Sequence, residues 1–326
     1  MQAFEYASPA TLKDALSLLG SSWSDAAVLA GGTDLINLMK EYIETPKRVV
    51  NIKGIKELGG VTKTGNGVRI GALASFDDLA NSALIRAQYP SIHAAVRGVA
   101  SPQIRNMGTA GGDLLQRPRC WYYRNGNGLL AMKEGKSLVP QGQNQYHAIF
   151  GGGPAYFVSA SSLGPALIAL GAKVTLQSAS GPRTISAEEL FVVPQTENDR
   201  ETAVKPGEIL TEIVLPVNAA VKNSTYEIRE REALDWPLAT ASVALTMKGA
   251  NVGDARVVLG HVAPKPWVAT EAQTFLAGKS ISEEVAEQAG AAAVKAAAPL
   301  TENGYKVQLA KVAVKRALLA AAGKQV

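Results

Sequence analysis

Two glycine-rich stretches of the 326-residue chain have the residue types of a phosphate-binding backbone. In the first, residues 28–35 (VLAGGTDL), an apolar run stops at two glycines and an amphipathic segment follows, which predicts a strand, a tight turn and a helix. N–H groups at a helix start lack partners and can bind an anion, and glycine lets the anion approach closely. Residues 108–115 (GTAGGDLL) repeat the pattern, so the two stretches could hold the two halves of a pyrophosphate.

A glycine pair after a strand is also an ordinary turn signal, and this interpretation stays open for each stretch taken alone. Gly32 is the position at which the two interpretations differ most. A Cβ there would enter the space of a phosphate oxygen or oppose a positive φ angle. Gly32→Val is therefore predicted to release the ligand if the stretch binds phosphate, and only to lower the melting temperature if the glycine makes a turn.

Other chemical motifs are incomplete. GxGxxG and GxSxG are both missing, and residues 135–137 (GKS) do not end a P-loop because Leu130 stands where that motif needs a glycine. The histidines are His93, His147 and His261. They are far apart in sequence from one another and from Cys120, so we expect no metal site.

Cys120 is the single cysteine of the chain. One cysteine excludes an internal disulfide and any iron–sulfur cluster held by cysteines of this chain alone. No histidine lies near it in sequence to act as a base, so the sequence predicts a buried thiol rather than a nucleophile.

Residues 117–124 (RPRCWYYR) interleave arginines with aromatic residues a few positions after the second glycine stretch. Three interpretations remain open. The cluster could stack on nucleotides, stack on a flavin ring, or cover a hydrophobic edge or a partner surface. Its place in the chain favours a position beside a bound cofactor or at a partner surface.

Composition places the chain among ordinary soluble globular proteins. Hydrophobic residues make up 47% and charged residues 19%, with a mean hydropathy of +0.04, and the length allows two or three domains. The net charge of +5 is spread without a basic stripe, so nucleic acid is not expected as a partner. The N-terminus lacks a signal-peptide pattern and no stretch reaches the roughly 18 apolar residues of a membrane span, so no membrane association is expected.

Periodicity and turn residues predict alternating strands and helices. The expected strands are the run before Gly31 and residues 48–52, 68–72, 156–159, 173–177, 209–215, 239–247 and 255–261. The expected helices run from the Ser8-Pro9 pair to Gly20, over 33–41, after a Ser75 cap, and over 91–99, 163–170, 281–298 and 305–322. The first 55 residues resemble a βαβ module, residues 117–153 a long surface insertion, and residues 216–220 a linker.

These residues resemble the FAD-binding medium subunit of the molybdenum hydroxylases, a family that includes xanthine dehydrogenase, carbon monoxide dehydrogenase and aldehyde oxidoreductases. Residues 30–40 (AGGTDLINLMK) are similar to its first FAD motif and residues 108–116 (GTAGGDLLQ) to its second. Further similar stretches are residues 206–216 (PGEILTEIVLP), 231–245 (REALDWPLATASVAL) and 260–278 (GHVAPKPWVATEAQTFLAG), so the resemblance covers nearly the whole chain.

Residues 116–124 (QRPRCWYYR) are most similar to the aldehyde oxidoreductase branch. Several members of that branch carry an extra four-iron cluster on cysteines of this insertion. Because Cys120 stands alone here, the cluster is expected to be absent.

The resemblance implies an α+β fold: a two-part FAD-binding domain of the PCMH type, residues 1–57 and 58–218, and a C-terminal domain, residues 219–326, of a three-stranded sheet and helices. Implied to bind FAD are Val28, Leu29, Ala30, Gly31, Gly32, Thr33, Asp34, Leu35, Thr109, Gly111, Gly112, Asp113, Leu115, Ser162, Leu210 and Arg229. Asp113 replaces the family's usual asparagine, and Ser162 stands in the place of an aspartate that helps hold FAD in relatives. No catalytic side chain and no metal ligand are expected.

The resemblance also implies a function in electron transfer. In the family, a large molybdopterin-binding subunit oxidises the substrate, and two-iron clusters of a small subunit pass the electrons to this flavin, which hands them to an external acceptor. The substrate would be an aldehyde or an N-heterocycle. The complex would be cytoplasmic, or periplasmic by co-export with a signal-bearing partner subunit.

Two alternatives remain. One is a free-standing FAD-dependent oxidase; many of these tether the flavin through a histidine near the first glycine stretch, and none lies near Gly31. The other is a flavin-less scaffold subunit that only bridges its partners, an idea supported by the altered Asp113 and Ser162.

Overall fold

The computed structural model describes residues 1–65, 67–99, 101–217, 220–231 and 235–325. Its N-terminal part contains a three-stranded parallel sheet. The elements are β1 (Glu5–Ala7), α1 (Leu12–Ser17), β2 (Ala26–Leu29), α2 (Leu35–Lys40) and β3 (Arg48–Asn51). Strand β3 lies between β1 and β2, and α2 connects β2 to its parallel neighbour β3. The predicted βαβ module is therefore confirmed.

The first helix begins later than predicted. Thr11, not Ser8, caps α1: its Oγ1 accepts from the Asp14 backbone N–H at 3.1 Å and donates to the Asp14 carboxylate at 2.7 Å. Asp14 stands three residues after Thr11, where a reciprocal bond is possible, and this pairing decides between the two hydroxyl residues. The helix ends at Ser17, and Gly20 (φ +73°) lies in the turn that follows.

The middle part is built on a five-stranded antiparallel sheet of order β4-β5-β10-β8-β9. Its elements are β4 (Val61–Thr64), β5 (Gly67–Gly71), α3 (Phe76–Asn81), α4 (Ala83–Gln88), α5 (Pro90–Gly98), α6 (Pro102–Met107), α7 (Ala110–Leu115), α8 (Trp121–Arg124), β6 (Met132–Lys133), β7 (Lys136–Ser137), α9 (Leu163–Ala169), β8 (Lys173–Ser178), β9 (Gly181–Ser186), α10 (Ala187–Leu190) and β10 (Ile209–Pro216). Ser75 caps α3 as predicted, in a reciprocal capping box with Asp78. The main core lies between this sheet and helices α3, α5 and α9.

Residues 117–153 are more than a surface insertion, and that prediction is wrong. They contain α8 and the β6–β7 hairpin, and their buried residues Tyr123, Leu129 and Leu130 form an apolar cluster with Leu38 of α2 and Phe157. The apolar residues of this segment are few and irregularly spaced, so no periodicity in the sequence reveals the cluster.

The strand predicted at residues 156–159 is also wrong. The segment is extended, but its backbone pairs with two separate loops: Ala148 N–H donates to the Tyr156 carbonyl at 2.9 Å, and Ser159 N–H donates to the Ala263 carbonyl at 2.9 Å. The segment is therefore held by loops on both sides and is not part of a sheet.

The C-terminal part is a four-stranded antiparallel sheet covered by helices. Its elements are β11 (Val221–Ile228), β12 (Ala239–Lys248), β13 (Asn251–Gly260), β14 (Trp267–Val268), α11 (Thr270–Leu276), α12 (Glu283–Ala293) and α13 (Tyr305–Ala321). Three long strands match the sheet that the resemblance implies, and the two-residue β14 adds a short fourth one. Helices α12 and α13 fall within the two helices predicted at residues 281–298 and 305–322, and their alanine-rich faces are buried in the core of this part.

Part of the predicted linker, residues 218 and 219, lies outside the described residues, as do residues 232–234 of the similar stretch 231–245. The α+β fold class is confirmed, with a parallel sheet first and, in the described residues, two large antiparallel sheets and the β6–β7 hairpin after it.

Candidate functional site

The two glycine-rich stretches lie against each other. Gly31 follows β2, and a Cβ built on it would lie 1.9 Å from the carbonyl oxygen of Met107, the last residue of α6. Only a residue without a Cβ allows the two backbones to approach this closely. Close backbone packing therefore explains this glycine.

Gly32 is explained by its backbone conformation. Its φ angle is +76°, and a Cβ there would meet Ile36 Cδ1 at 2.9 Å and Leu29 Cδ1 at 3.2 Å. A left-handed conformation disfavours any L-residue with a side chain, and β-branched residues most of all. Of the two reasons that the sequence suggested, the positive φ angle is the one observed.

The two glycines of the second stretch do not form a turn ahead of a helix, as the repeated pattern predicts, and that part of the prediction is wrong. Thr109 caps α7, and Gly111 and Gly112 form the first turn of this helix. A Cβ on Gly111 would lie 2.9 Å from the Ala72 Cβ, so this glycine lets the helix pack closely on the segment after β5. A Cβ on Gly112 would meet only Thr109 Oγ1, at 2.9 Å, because Gly112 faces a cavity.

The hydrogen bonds of the backbone N–H groups are a further difference between the two stretches. The N–H groups of residues 110–113 are bonded within the chain: the acceptors are the Ala74 carbonyl for Ala110, the Ala72 carbonyl for Gly111, Thr109 Oγ1 for Gly112 and the Thr109 carbonyl for Asp113. Among the described residues, no acceptor is found for the N–H groups of residues 31–35. The first stretch therefore offers a run of free donors, whereas in residues 109–113 of the second stretch only the Thr109 N–H has no acceptor among the described residues.

Two adjoining cavities extend from these stretches. The first, of about 240 Å³, lies between the N-terminal and middle parts, and the second, of about 230 Å³, lies towards the C-terminal part. Both are lined by Thr33, Asp34, Thr109, Gly112 and Gln116, so they form two lobes of one cleft. The shared wall is the place where the two stretches meet.

Nearly all predicted site residues line this cleft. Those in the first lobe are Val28, Ala30, Gly31, Gly32, Thr33, Asp34, Leu35, Thr109, Gly111, Gly112, Leu115 and Leu210. Asp113, Ser162 and Arg229 line the second lobe. Leu29 lines neither lobe; its side chain packs beside Gly32.

Asp34 binds the arginine-rich cluster of residues 117–124. Its Oδ1 lies 3.1 Å from Arg119 Nη1 and 2.8 Å from Arg124 Nη2, and its Oδ2 accepts from the Arg117 backbone N–H at 2.8 Å. These contacts join the insertion to the first glycine stretch. The Asp34 carboxylate is largely buried among cations, so it holds the cleft together.

The cations of the same cluster are already paired. Arg117 contacts Glu44 and Glu201 at 2.6 Å each, and Arg200 contacts Glu44 at 2.8 Å. The sequence left three interpretations of the cluster open. In the structure the cluster lies at the cleft wall, where Arg117 lines the first lobe and Arg119 lines the second.

Asp113 has a structural function that accounts for a carboxylate at this position. It accepts from Ser161 Oγ at 2.5 Å, from Leu163 N at 2.9 Å and from Ser162 N at 3.3 Å, and so binds the start of α9. Burial raises the pKa of Asp113 to about 6, although these hydrogen bonds oppose the shift. An ionised carboxylate, which only accepts hydrogen bonds, suits a position that faces these three donors.

Arg229 directly follows β11 and lines the second lobe, where it is ion-paired with Glu227. Both are largely buried, and Gly98 at the end of α5 leaves the room for them, because a Cβ on Gly98 would lie 2.6 Å from Arg229 Nη2. Burial raises the pKa of Glu227, and Arg229 and the Ser162 hydroxyl oppose that shift. Ser162 therefore lies beside both buried carboxylates, Asp113 and Glu227.

Cys120 has a histidine partner that its neighbours in sequence do not reveal. Its Sγ lies 3.1 Å from His147 Nε2, because the insertion folds back on itself after α8. Burial raises the pKa of the Cys120 thiol, and burial together with Lys306 lowers the pKa of His147 to about 4. Thiol and imidazole are thus both neutral near pH 7, and the thiol is not an activated nucleophile.

Among the described residues, no three histidine, cysteine, aspartate or glutamate side chains lie close enough to hold a metal ion. Within the same part of the chain, no helix has the length and apolarity needed to cross a membrane.

Sequence reasoning missed several residues that line the cleft. Trp23 and Arg200 line the first lobe, with the Arg200 guanidinium 4.7 Å from the Trp23 ring centre, and Trp236 lines the second. Trp23 and Arg200 lie in no motif, whereas Trp236 lies in the similar stretch 231–245 but was not singled out there. Gln116 could have been found, because it directly follows the second glycine stretch.

The fold and the cleft define a class of protein: an α+β protein with an elongated, two-lobed cleft whose free N–H groups suit a dinucleotide. The family described as FAD binding domain in molybdopterin dehydrogenase matches residues 2–218, and CO dehydrogenase flavoprotein C-terminal domain matches residues 224–321. The chain belongs to this family and is an FAD-binding oxidoreductase chain.

Relatives support the assignment over the full length. The chain is 30% identical to the carbon monoxide dehydrogenase medium chain of Hydrogenophaga pseudoflava, covering 98% of this chain and 96% of that one. It is 31% identical to the aldehyde oxidoreductase FAD-binding subunit PaoB of Escherichia coli (strain K12), covering 95% and 96%. A crystal structure of the cyanide-inactivated Cu,Mo-CO dehydrogenase contains a chain with a TM-score of 0.78 and 28% identity, covering 99% and 98%.

Proposed function

We propose that the two-lobed cleft binds one FAD noncovalently and that this chain is the flavin-carrying electron-transfer subunit of a heteromeric molybdenum hydroxylase. The observation that carries the proposal is the wall shared by the two lobes, where residues of both glycine stretches meet. An extended dinucleotide would place its pyrophosphate at this wall and one of its ends in each lobe.

The residues of the cleft fit such a ligand in different ways. The free N–H groups of residues 31–35 would donate to the pyrophosphate, and Gly112 would let it approach the start of α7. Leu115 and Leu210 supply apolar wall in the first lobe. We assign the flavin ring to the second lobe, because this lobe contains Arg229 and ends at Trp236, which is 46% exposed and within reach of an electron partner.

FAD supplies the chemistry, since it takes up electrons singly and releases them singly or in pairs. The chain contributes position and electrostatics: Asp34 and its arginines fix the insertion against the cleft, and Asp113 fixes α9 beside it. No side chain is assigned as a catalytic acid or base.

Noncovalent binding is proposed because no histidine or cysteine of the described residues lines either lobe. The same observation disfavours a free-standing oxidase with a histidine-tethered flavin. A flavin-less scaffold is disfavoured because Asp113, one of the altered positions, serves the fold without filling the cleft.

We propose residues 1–57, 58–218 and 219–326 as the structural units, and one of the three main sheets falls in each span. As partners we propose a small subunit with two-iron clusters and a large molybdopterin-binding subunit that oxidises an aldehyde or N-heterocycle. The names of the relatives, which are medium chains and FAD-binding subunits, support this arrangement. For the complex we propose the cytoplasm, or the periplasm through co-export with a signal-bearing partner.

The test is the flavin content of the natively purified chain before and after acid precipitation. We expect one FAD per chain, all of it in the acid supernatant. Flavin that stays with the pellet would contradict noncovalent binding. A chain that is colourless and does not take up added FAD would overturn the proposal in favour of the scaffold.

A further inference from the structure

A third cavity lies beyond the second lobe of the cleft. Its volume is about 310 Å³, at the small end of ligand pockets, which span roughly 300–1,000 Å³. It shares Arg119, Asp235, Trp236 and Pro237 with the second lobe, so the two spaces are neighbours across one wall. We call this cavity the aromatic chamber.

The walls of the aromatic chamber suit a flat ring. They include Trp121, Tyr146, Phe157 and Trp236. Trp121 and Tyr146 meet edge to face, with ring centres 5.6 Å apart at 68°, and Arg119 stacks on Trp236 at 4.5 Å. Aromatic side chains fixed in this way favour a planar aromatic ligand through stacking and edge contacts.

The cationic side chains around the chamber already have partners within the chain. Arg119 is paired with Asp34, and Arg231 with Asp235. The Lys306 side chain donates to the carbonyls of Tyr146, His147 and His261 at 3.1, 3.2 and 2.7 Å, and burial lowers its pKa to about 7.

The remaining titratable groups are neutral or bonded. Burial, followed by the Lys306 charge, lowers the pKa of His147 to about 4 and that of His261 to about 3, so both imidazoles are neutral at pH 7. Tyr146 donates to Glu230 at 3.1 Å. A ligand without net charge is therefore favoured, and a charged dinucleotide would find no free cation among the described wall residues.

We propose that the aromatic chamber binds a neutral, planar quinone of one or two rings. This inference rests on the proposed function, because it is the neighbouring flavin lobe that selects a redox-active ring over other flat, neutral compounds. Reduction of a quinone to a hydroquinone takes up two electrons and two protons at its two oxygens, the amount that one fully reduced flavin releases.

The experiment uses 2,3-dimethyl-1,4-naphthoquinone and the full, flavin-loaded chain. Both ring positions next to the carbonyls are blocked, so the probe does not add to the Cys120 thiol. Calorimetry measures its Kd for wild type and for Val158→Trp, which fills the chamber from a half-buried wall position. Val192→Trp is the matched control, since Val192 is exposed and lines none of the three cavities.

We expect saturable binding that Val158→Trp weakens at least tenfold and Val192→Trp leaves within twofold, with equal flavin content in all three proteins. Tyr146→Ala, which removes an exposed wall, serves as a second variant if Val158→Trp does not fold, and it should weaken binding about fivefold. Absent binding, or binding that neither chamber variant weakens, overturns the inference. Loss of flavin from the wild-type chain would instead overturn the proposed function.

Discussion

Single residues decide whether the cleft can accept its ligand. Gly112 lies at the wall shared by both lobes, and an added Cβ would meet only Thr109 Oγ1. We predict that Gly112→Val raises the Kd for FAD at least tenfold while changing the free energy of unfolding by no more than about 1 kcal/mol, because the gain in helix propensity offsets a disturbed cap. FAD titration and urea unfolding of the same sample measure both effects.

Gly54→Val is the control for this substitution, since a Cβ on Gly54 would meet nothing within 4 Å. Full FAD affinity in a folded Gly112→Val chain would contradict the placement of the pyrophosphate. Gly32→Val, which the sequence suggested as a test, is less informative because the positive φ angle makes it destabilising in any case.

His261 makes the free energy of unfolding depend on pH. It is buried at the end of β13 with Nδ1 2.9 Å from Thr240 Oγ1, and burial lowers its pKa to about 3. The unfolded chain binds a proton below about pH 6.5, whereas the folded chain does not, so this contribution to stability is full above pH 6.5 and is lost as the pH falls.

We predict that His261→Asn reduces the slope of the unfolding free energy against pH, measured at pH 5, by about 1.4 kcal/mol per pH unit. This is the value for one proton bound by the unfolded chain alone. Asparagine tolerates the φ angle of +62° found at this position. Urea unfolding at several pH values between 4 and 7 measures the slope, and equal slopes for both proteins would refute a neutral buried His261.

At the scale of elements, ion pairs attach the insertion to the first glycine stretch. Asp34 contacts Arg119, Arg124 and the Arg117 N–H. Asp34→Asn leaves largely buried arginines without a counter-charge, and we predict a loss of about 3 kcal/mol of stability. Limited proteolysis should then cut residues 117–153 faster than in wild type.

Asp25→Asn is the matched control: Asp25 forms a surface ion pair with Lys47, and the asparagine side-chain oxygen can still accept from the Ser21 and Ser22 N–H groups that Asp25 binds. Surface pairs contribute about 0–1 kcal/mol, so this variant should keep the wild-type digestion pattern. Equal effects of the two substitutions would show that the Asp34 ion pairs do not fasten the insertion.

Local sequence signals predicted the elements with strong periodicity and missed those set by long-range contacts. The βαβ unit, the Ser75 cap and the alanine-rich α12 and α13 follow from spacing of apolar and capping residues. The first turn of α7 was missed, because glycine pairs signal turns and only the packing against Ala72 favours a helix there. The Cys120–His147 contact joins residues 27 positions apart, which no local pattern reveals.

At the scale of the whole molecule, the sequence located the cleft through its two glycine stretches but did not show how they differ. Residues 31–35 keep free N–H groups, whereas residues 110–113 use theirs within the fold. Trp23 and Arg200 complete the cleft from segments with no motif, and Trp236 from a similar stretch in which no pattern marked it as a wall residue. Side chains brought together from three parts of the chain can be recognised only once the chain has folded.

The most direct test of this account is backbone amide hydrogen exchange with and without FAD. Free N–H groups become protected when they bind a phosphate, while amides already bonded within a helix change little. We predict at least tenfold slower exchange for residues 31–35 on FAD binding and less than twofold change for residues 110–113. Unchanged exchange at residues 31–35 in the FAD-saturated chain would contradict the central claim that these amides hold the pyrophosphate.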